Sequence, residues 1–222
     1  MTGLFETMLA IEGRVVQLDE HFARLARSAR ELQLPLPDEG GFFAAVMNAV
    51  QSDEEMSVRC IYEDGRFSAT AGPIPAVTLQ RRQGAHVVTL DRAIVRDQPR
   101  HKLTSYMTSR PAIPADAEEA LFVDRHGDIL EGTTTNVFAI TGDTLITAGD
   151  AILPGIVRAW VIANATQVIG RNPTIAELRA GSFLTSSLTL LAPIVKIDGV
   201  GCAQPGHAFA QLQRLYAALT AP

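Results

Sequence analysis

The spacing of apolar positions changes period several times along the chain, and each change marks an element. Leu4 to Ile11 is an almost continuous apolar run, Glu12-Gly13 supplies a turn, and Arg14 to Leu18 continues as a second strand. Asp19 then offers an N-cap, and Phe22, Leu25, Ala29 and Leu32 recur at helical spacing, which leaves Arg24 and Arg27 off the main apolar stripe. Pro35 and Pro37 end that helix, and a second is expected over Phe42 to Val50. Met56 to Tyr62 and Phe67 to Ala71 flank the turn Glu63-Asp64-Gly65-Arg66 as a hairpin, followed by more strand at Val77 to Leu79 and His86 to Leu90.

Charges and a proline then interrupt the pattern over Asp91 to Pro99, which reads as an interdomain connection. Beyond it comes a strand-rich block: Ala120 to Val123, Ile129 to Leu130, Asn136 to Ile140 and Leu145 to Thr147, separated by the His126-Gly127 and Gly142-Asp143 turns. Ile156 to Ile169 reads as a helix after Leu153-Pro154-Gly155, with a short helix at Ala176 to Arg179. Strands follow at Ser182 to Leu184 and Ile194 to Ile197, and a last helix runs from Ala208 to Leu219. Strands and helices mix without regular βαβ alternation, so the expected class is α+β. The expected division is a small N-terminal domain over residues 1–91, the connection over 92–99, and a larger domain over 100–222.

Composition narrows the partners. With 47% hydrophobic and 19% charged residues and a formal charge of −5, the chain is globular and carries no basic block for nucleic acid or a membrane surface. Cys60 and Cys202 stand far apart, Met1 to Ala10 lacks the pattern of an export signal, and no apolar stretch suffices to span a bilayer. A cytoplasmic protein without a metal centre, acting on small molecules, is the expectation. Only Lys102 and Lys196 are lysines among the 19 basic residues. A primary amine can lose its proton and form an imine with an aldehyde, which a guanidinium cannot.

Four segments could carry chemistry. Lys102 stands in Arg100-His101-Lys102-Leu103-Thr104-Ser105-Tyr106, where neighbouring cations favour the neutral, nucleophilic amine. Glu131-Gly132-Thr133-Thr134-Thr135-Asn136 sets one carboxylate among small polar residues, and a carboxylate beside a pyridine nitrogen keeps it protonated. Leu153-Pro154-Gly155-Ile156-Val157-Arg158 opens a helix whose free N–H groups can hold a phosphate. Leu184-Thr185-Ser186-Ser187-Leu188 places hydroxyls at a strand end. Each has an ordinary account as well: a solvated cation, a polar turn, a helix start and a capped turn.

Their order along the chain, with His21-Phe22-Ala23-Arg24-Leu25-Ala26-Arg27-Ser28-Ala29 before them, resembles the fold-type-IV pyridoxal-phosphate enzymes. This class IV aminotransferase family includes branched-chain and D-amino-acid aminotransferases and aminodeoxychorismate lyase. The resemblance runs from about Phe5-Glu6-Thr7 to the C-terminal helix. It implies a two-domain fold, with a smaller N-terminal α/β sandwich and a larger strand-rich domain, and pyridoxal 5′-phosphate as cofactor. It further implies that Lys102 forms the imine and shuttles the substrate proton, and that Glu131 pairs with the ring nitrogen. Arg24, the N–H groups of Ile156 and Val157, and Ser187 would bind the phosphate, and Tyr106 would lie near the phenolic oxygen. Arg59, in Ser57-Val58-Arg59-Cys60, is a candidate for the substrate carboxylate and equally an Arg on the outward face of a strand.

Three departures from the family pattern stand out. Val157 replaces a common Thr, Ser105 stands where Asn is usual, and the chain is shorter than typical members, mostly before Leu4. Homodimers with sites near the subunit boundary are the family's rule, so a homodimer is expected. Transamination between an amino acid and a 2-oxo acid is the leading activity. Aminodeoxychorismate lyase, which makes 4-aminobenzoate and pyruvate, is the alternative, favoured by Phe5-Glu6-Thr7 to Ala29, Val58-Arg59 with Asp64-Gly65, and His101-Lys102. A non-catalytic homologue that binds cofactor is the third reading.

Overall fold

The computed structural model describes residues 3–220, and they divide into two compact units. The first comprises residues up to Pro75 together with Arg100–Arg110, and the second comprises Ala76–Pro99 and the chain from Pro111. A proline flanks each crossing, where its ring disfavours helical backbone in the preceding residue. The stretch 92–99 expected as a connection therefore belongs to the second unit, as does 76–91, while 100–110 returns to the first.

In the first unit, β1 (Leu4–Ile11), β2 (Arg14–Val15), β3 (Met56–Glu63) and β4 (Arg66–Pro73) form an antiparallel sheet in the order β2-β1-β3-β4. Leu4 lies opposite Tyr62 and Glu63 opposite Arg66, so Asp64 and Gly65, both with positive φ, make the expected tight turn. The even-numbered residues Leu4, Met8, Ala10, Val58, Cys60 and Tyr62 pack on Leu25 and Ala29 of α1 (Leu18–Glu31) and on Phe42 and Val46 of α2 (Glu39–Ala49). Helix α1 starts one residue ahead of the expected cap: Gln17, in the left-handed region, occupies the cap position, and Asp19 instead places its charge in the first turn. Asp38 caps α2 by accepting from the Gly41 amide at 2.6 Å.

The second unit is built on a mixed sheet that runs, in order, β10 (Gln167–Gly170), β9 (Thr144–Thr147), β8 (Asn136–Thr141), β11 (Ser182–Ser186), β12 (Leu190–Ile197), β5 (Ala85–Thr89), β6 (Glu119–Val123) and β7 (Ile129–Gly132), with β13 (Val200–Gly201) also on β12. Its central strands, β8 (Asn136–Thr141), β11 (Ser182–Ser186) and β12 (Leu190–Ile197), are apolar on both faces. Val137, Ala139 and Leu184 face one core with Leu178, whereas Phe138, Ile140 and Phe183 face another with Val157, Val161, Phe209 and Leu212. Covering by helices on both sides explains why these strands read as continuous apolar runs. Two expectations are corrected here. Val77 to Leu79 is not strand but part of helix α3 (Ala76–Gln83), whose buried residues are Thr78 and Arg81, so its apolar Val77 and Leu79 face outward. The helix expected to Ile169 stops at Asn164 (α5, Ile156–Asn164), because Gln167–Gly170 becomes edge strand β10, parallel to β9 (Thr144–Thr147).

Candidate active site

Lys102 owes its position to the edge of β1. The Phe5 amide donates to the Lys102 carbonyl at 2.9 Å, the Thr104 amide donates to the Gly3 carbonyl at 2.9 Å, and Leu103 bridges Leu4. Leu103 is buried in the core of the first unit, and Lys102 is half-buried with Nζ 4.6 Å from the centroid of the Phe5 ring. Arg59, on β3 and exposed, sets its guanidinium carbon 5.6 Å from the same centroid. The structure thus brings the amine and the candidate carboxylate-binding cation to one aromatic ring. Cation–π attraction holds each of them there. Tyr106 begins the single turn α4 (Tyr106–Ser109), four residues after Lys102, and is half-buried.

Phe5 and Glu6 are successive strand residues and point to opposite faces of the sheet. On the Glu6 side lies a buried charged cluster that the helical pattern did not reveal. Arg24 donates Nε to Glu6 Oε1 at 2.9 Å and pairs a second nitrogen with Oε2, and His21 Nδ1 stands 2.7 Å from Oε2. His21, Arg24 and Ser28 line the buried face of α1 beside Leu25, so Arg24 is not off the packed face as its spacing suggested. Burial alone would push the Glu6 carboxyl up, but the Arg24 charge and the His21 hydrogen bond outweigh it and hold the group down at about 2. Burial pushes His21 the other way from its ordinary value, downward, against the pull of Glu6 and with help from Arg24 and Lys102. A neutral His21 donating to an ionised Glu6 fits both directions.

In the second unit, Glu131 is the penultimate residue of β7 (Ile129–Gly132) and is 2% exposed. Its Oε1 accepts from Arg96 Nη1 at 2.8 Å, and its Oε2 accepts from the Leu153 amide at 3.0 Å and from Asn136 Nδ2 at 3.4 Å. Asn136 also donates to the Leu153 carbonyl at 2.9 Å, tying the start of β8 to the loop ahead of α5. A Cβ on Gly155 would collide with Asn136 Oδ1, so only glycine lets the start of α5 approach so closely. The first-turn amides of α5, including those of Ile156 and Val157, have no acceptor within the helix. Burial pulls the Arg158 guanidinium below its ordinary value against the attraction of Glu131, and Arg158 donates to the Ala148 carbonyl at 2.7 Å.

Ser187 directly follows β11, whose Thr185 is paired in register with Asn136. Glu131, the α5 start and the Ser187 loop are therefore joined through Asn136 at one end of the second unit's sheet. This donor set fits pyridoxal phosphate. A buried carboxylate, whose named partners are all donors, offers an acceptor to a protonated ring nitrogen. Helix-start amides and a hydroxyl loop offer donors to a phosphate dianion. The buried Thr185 hydroxyl makes no hydrogen bond among the described residues, which leaves it a polar group in reserve beside that loop.

Phe5 and Arg96 are among the residues that escaped the sequence reading. Phe5 lay within a recognised segment, but nothing in its spacing marked the ring as a platform for Lys102. Arg96 sat in the charged stretch read as a connection, and its separation from Glu131 in sequence hid the pairing.

The family model described as amino-transferase class IV matches residues 3–197, and the chain belongs to that family of pyridoxal 5′-phosphate enzymes, with its fold-type-IV architecture. The bifunctional aminodeoxychorismate lyase / D-amino acid transaminase of Mycobacterium tuberculosis is 31% identical over 237 aligned positions, covering 89% of this chain and 82% of that protein. The D-alanine aminotransferase of Bacillus licheniformis is 27% identical over 92% of this chain and 82% of its own length. A solved structure of a hypothetical aminotransferase from Mycobacterium tuberculosis in its PLP-bound form superposes with a TM-score of 0.82, at 28% identity, over 98% of this chain and 88% of that one. Among the described residues no helix is long and apolar enough to cross a membrane.

Proposed function

We propose that this chain is a pyridoxal-phosphate-dependent amino acid aminotransferase, acting as a homodimer on an amino acid and a 2-oxo acid. The observation that carries the reading is the convergence on Asn136 of a buried carboxylate, a helix start and a hydroxyl loop, in a chain whose scarce lysines include one held against Phe5. When bound, pyridoxal phosphate supplies an aldehyde for amines and a ring that accepts the electron pair left on the substrate α-carbon. The Lys102 amine would hold that aldehyde and, once the substrate amine has taken its place, would carry the substrate α-proton on Nζ. Glu131 holds the proton on the ring nitrogen. The Ile156 and Val157 amides, the Ser187 hydroxyl and the Arg24 guanidinium bind the phosphate, with Glu6 fixing Arg24 in place. Tyr106 orients the phenolic oxygen, and Arg59 binds the substrate carboxylate. Val157 lacks the hydroxyl of Thr, so at that position only the main chain serves the phosphate.

The test is a titration of apo-protein with pyridoxal phosphate, followed by addition of L- and D-amino acids. The expected result is a visible absorbance band that Lys102→Ala abolishes, bleached by an amino acid and restored by an oxo acid. A band unchanged in Lys102→Ala overturns the assignment of that lysine. The printed name of the 31% identical relative joins a lyase and a transaminase activity, and it supports aminodeoxychorismate lyase as a second reading. Release of 4-aminobenzoate and pyruvate without an oxo-acid partner identifies that activity.

A further inference from the structure

Outside the residues already discussed lies a buried ion pair that touches both strand-end loops of the second unit. Glu119 begins β6 (Glu119–Val123) and is 0% exposed. Its Oε1 accepts from the Thr133 amide at 3.1 Å, the Thr133 hydroxyl at 2.5 Å and the Ala120 amide at 3.0 Å. Its Oε2 accepts from the Thr134 amide at 3.1 Å, the Thr134 hydroxyl at 2.7 Å and the Thr135 hydroxyl at 3.1 Å. Every residue of the loop between Glu131-Gly132 and Asn136 is thus bonded to one carboxylate.

Arg81 of α3, 4% exposed, lies 3.6 Å from Glu119 Oε2 and extends the network to the other loop. Its Nη1 donates to Thr134 Oγ1 at 3.0 Å and to Thr189 Oγ1 at 3.2 Å, and its Nη2 donates to the Glu118 carbonyl. The next residue, Arg82, donates Nε to the Leu188 carbonyl at 2.8 Å. The Ser187 loop is therefore fastened to the same helix that caps the threonine loop. The fit is close: a Cβ on Gly132 would run into the Thr135 hydroxyl and lie 3.0 Å from Glu119.

We propose that Glu119 and Arg81 are positioning residues that lock the Glu131 loop to the Ser187 loop, fixing the spacing between the acceptor for the ring nitrogen and the donors for the phosphate. The inference rests on the cofactor reading above. A buried carboxylate with a full set of donors and a guanidinium beside it is costly to disturb in either partner, which makes it a rigid tie rather than a flexible one. Neither residue needs to touch the cofactor, since each acts through a loop that does.

The test uses Thr134→Val, which removes the hydroxyl linking Glu119 to Arg81 at an exposed residue, together with Glu119→Gln and Arg81→Lys. In the apo-protein, amide hydrogen exchange is expected to quicken about tenfold in both 133–135 and 187–189, the loss expected of one charge-assisted hydrogen bond, while β8 keeps its protection. In the loaded protein, affinity for pyridoxal phosphate falls by a similar factor, and the pH at which the visible band changes is displaced because Glu131 no longer meets the ring nitrogen squarely. Exchange confined to the substituted loop, or lost stability with unchanged affinity and pH profile, overturns the proposal. A wild-type protein that takes up no pyridoxal phosphate defeats the underlying cofactor reading instead, and the exchange comparison still decides whether the loops are coupled.

Discussion

Single residues divide the chemistry between an amine on an aromatic ring and a carboxylate among donors. Glu131→Gln keeps an acceptor oxygen and its approximate shape but cannot hold a full positive charge on the ring nitrogen. The variant is expected to retain the Lys102-dependent absorbance band while turnover falls by roughly a hundredfold or more, the scale of a lost proton-holding group. Single-turnover absorbance measurements check this, and unchanged turnover removes Glu131 from its role. Arg59 shares the Phe5 ring with Lys102, so Arg59→Met is expected to raise KM for carboxylate substrates about tenfold while kcat changes less, the mark of a group that binds ground and transition states alike. An unaltered KM returns Arg59 to the role of an outward-facing strand residue.

At the level of elements, the start of α5 depends on a glycine that no helix propensity requires. Gly155→Ala forces a methyl group onto Asn136, whose amide holds both Glu131 and the Leu153 carbonyl. Cofactor affinity is expected to fall about tenfold, with an overpacking cost of ~1–3 kcal/mol in a urea titration. Edge strand β10 reads as helix in the sequence, but most strands and the two hairpin turns of the first unit were legible because their periodicity and turn residues are local: Asp64-Gly65 and the alternation in β3 need no tertiary information. Helix α3 was not, because its buried residues are polar and its apolar ones half-exposed, which inverts the usual signal. Lys102, Glu131, Gly155 and Ser187 were legible as motif positions. Arg96, Glu119 and Arg81 were not, because partners lying 35, 38 and 53 residues apart carry no spacing rule: Arg96 bonds Glu131, Arg81 pairs with Glu119, and Arg81 bonds Thr134.

For the molecule as a whole, response to acid follows from the cluster of Glu6, His21 and Arg24. Folding depresses His21 below its ordinary 6.5, so as the pH falls past that value the unfolded chain takes up a proton that the folded chain refuses. Folding also depresses Glu6 from 4.5 to about 2, so between those values the unfolded chain again binds the extra proton. Both contributions have the same sign: stability is full above neutrality, declines once the pH drops below about 6.5, and declines further from 4.5 to about 2. Urea midpoints measured from pH 7.5 downward are expected to trace this two-part fall. His21→Gln keeps a donor for Glu6 but has no titrating ring, and is expected to remove the upper part while leaving the lower. A wild-type profile flat down to 4.5 contradicts the assignment of a neutral His21. Because Glu6 stays ionised throughout the range above 4.5, Arg24 keeps its carboxylate partner there even where overall stability has already begun to decline.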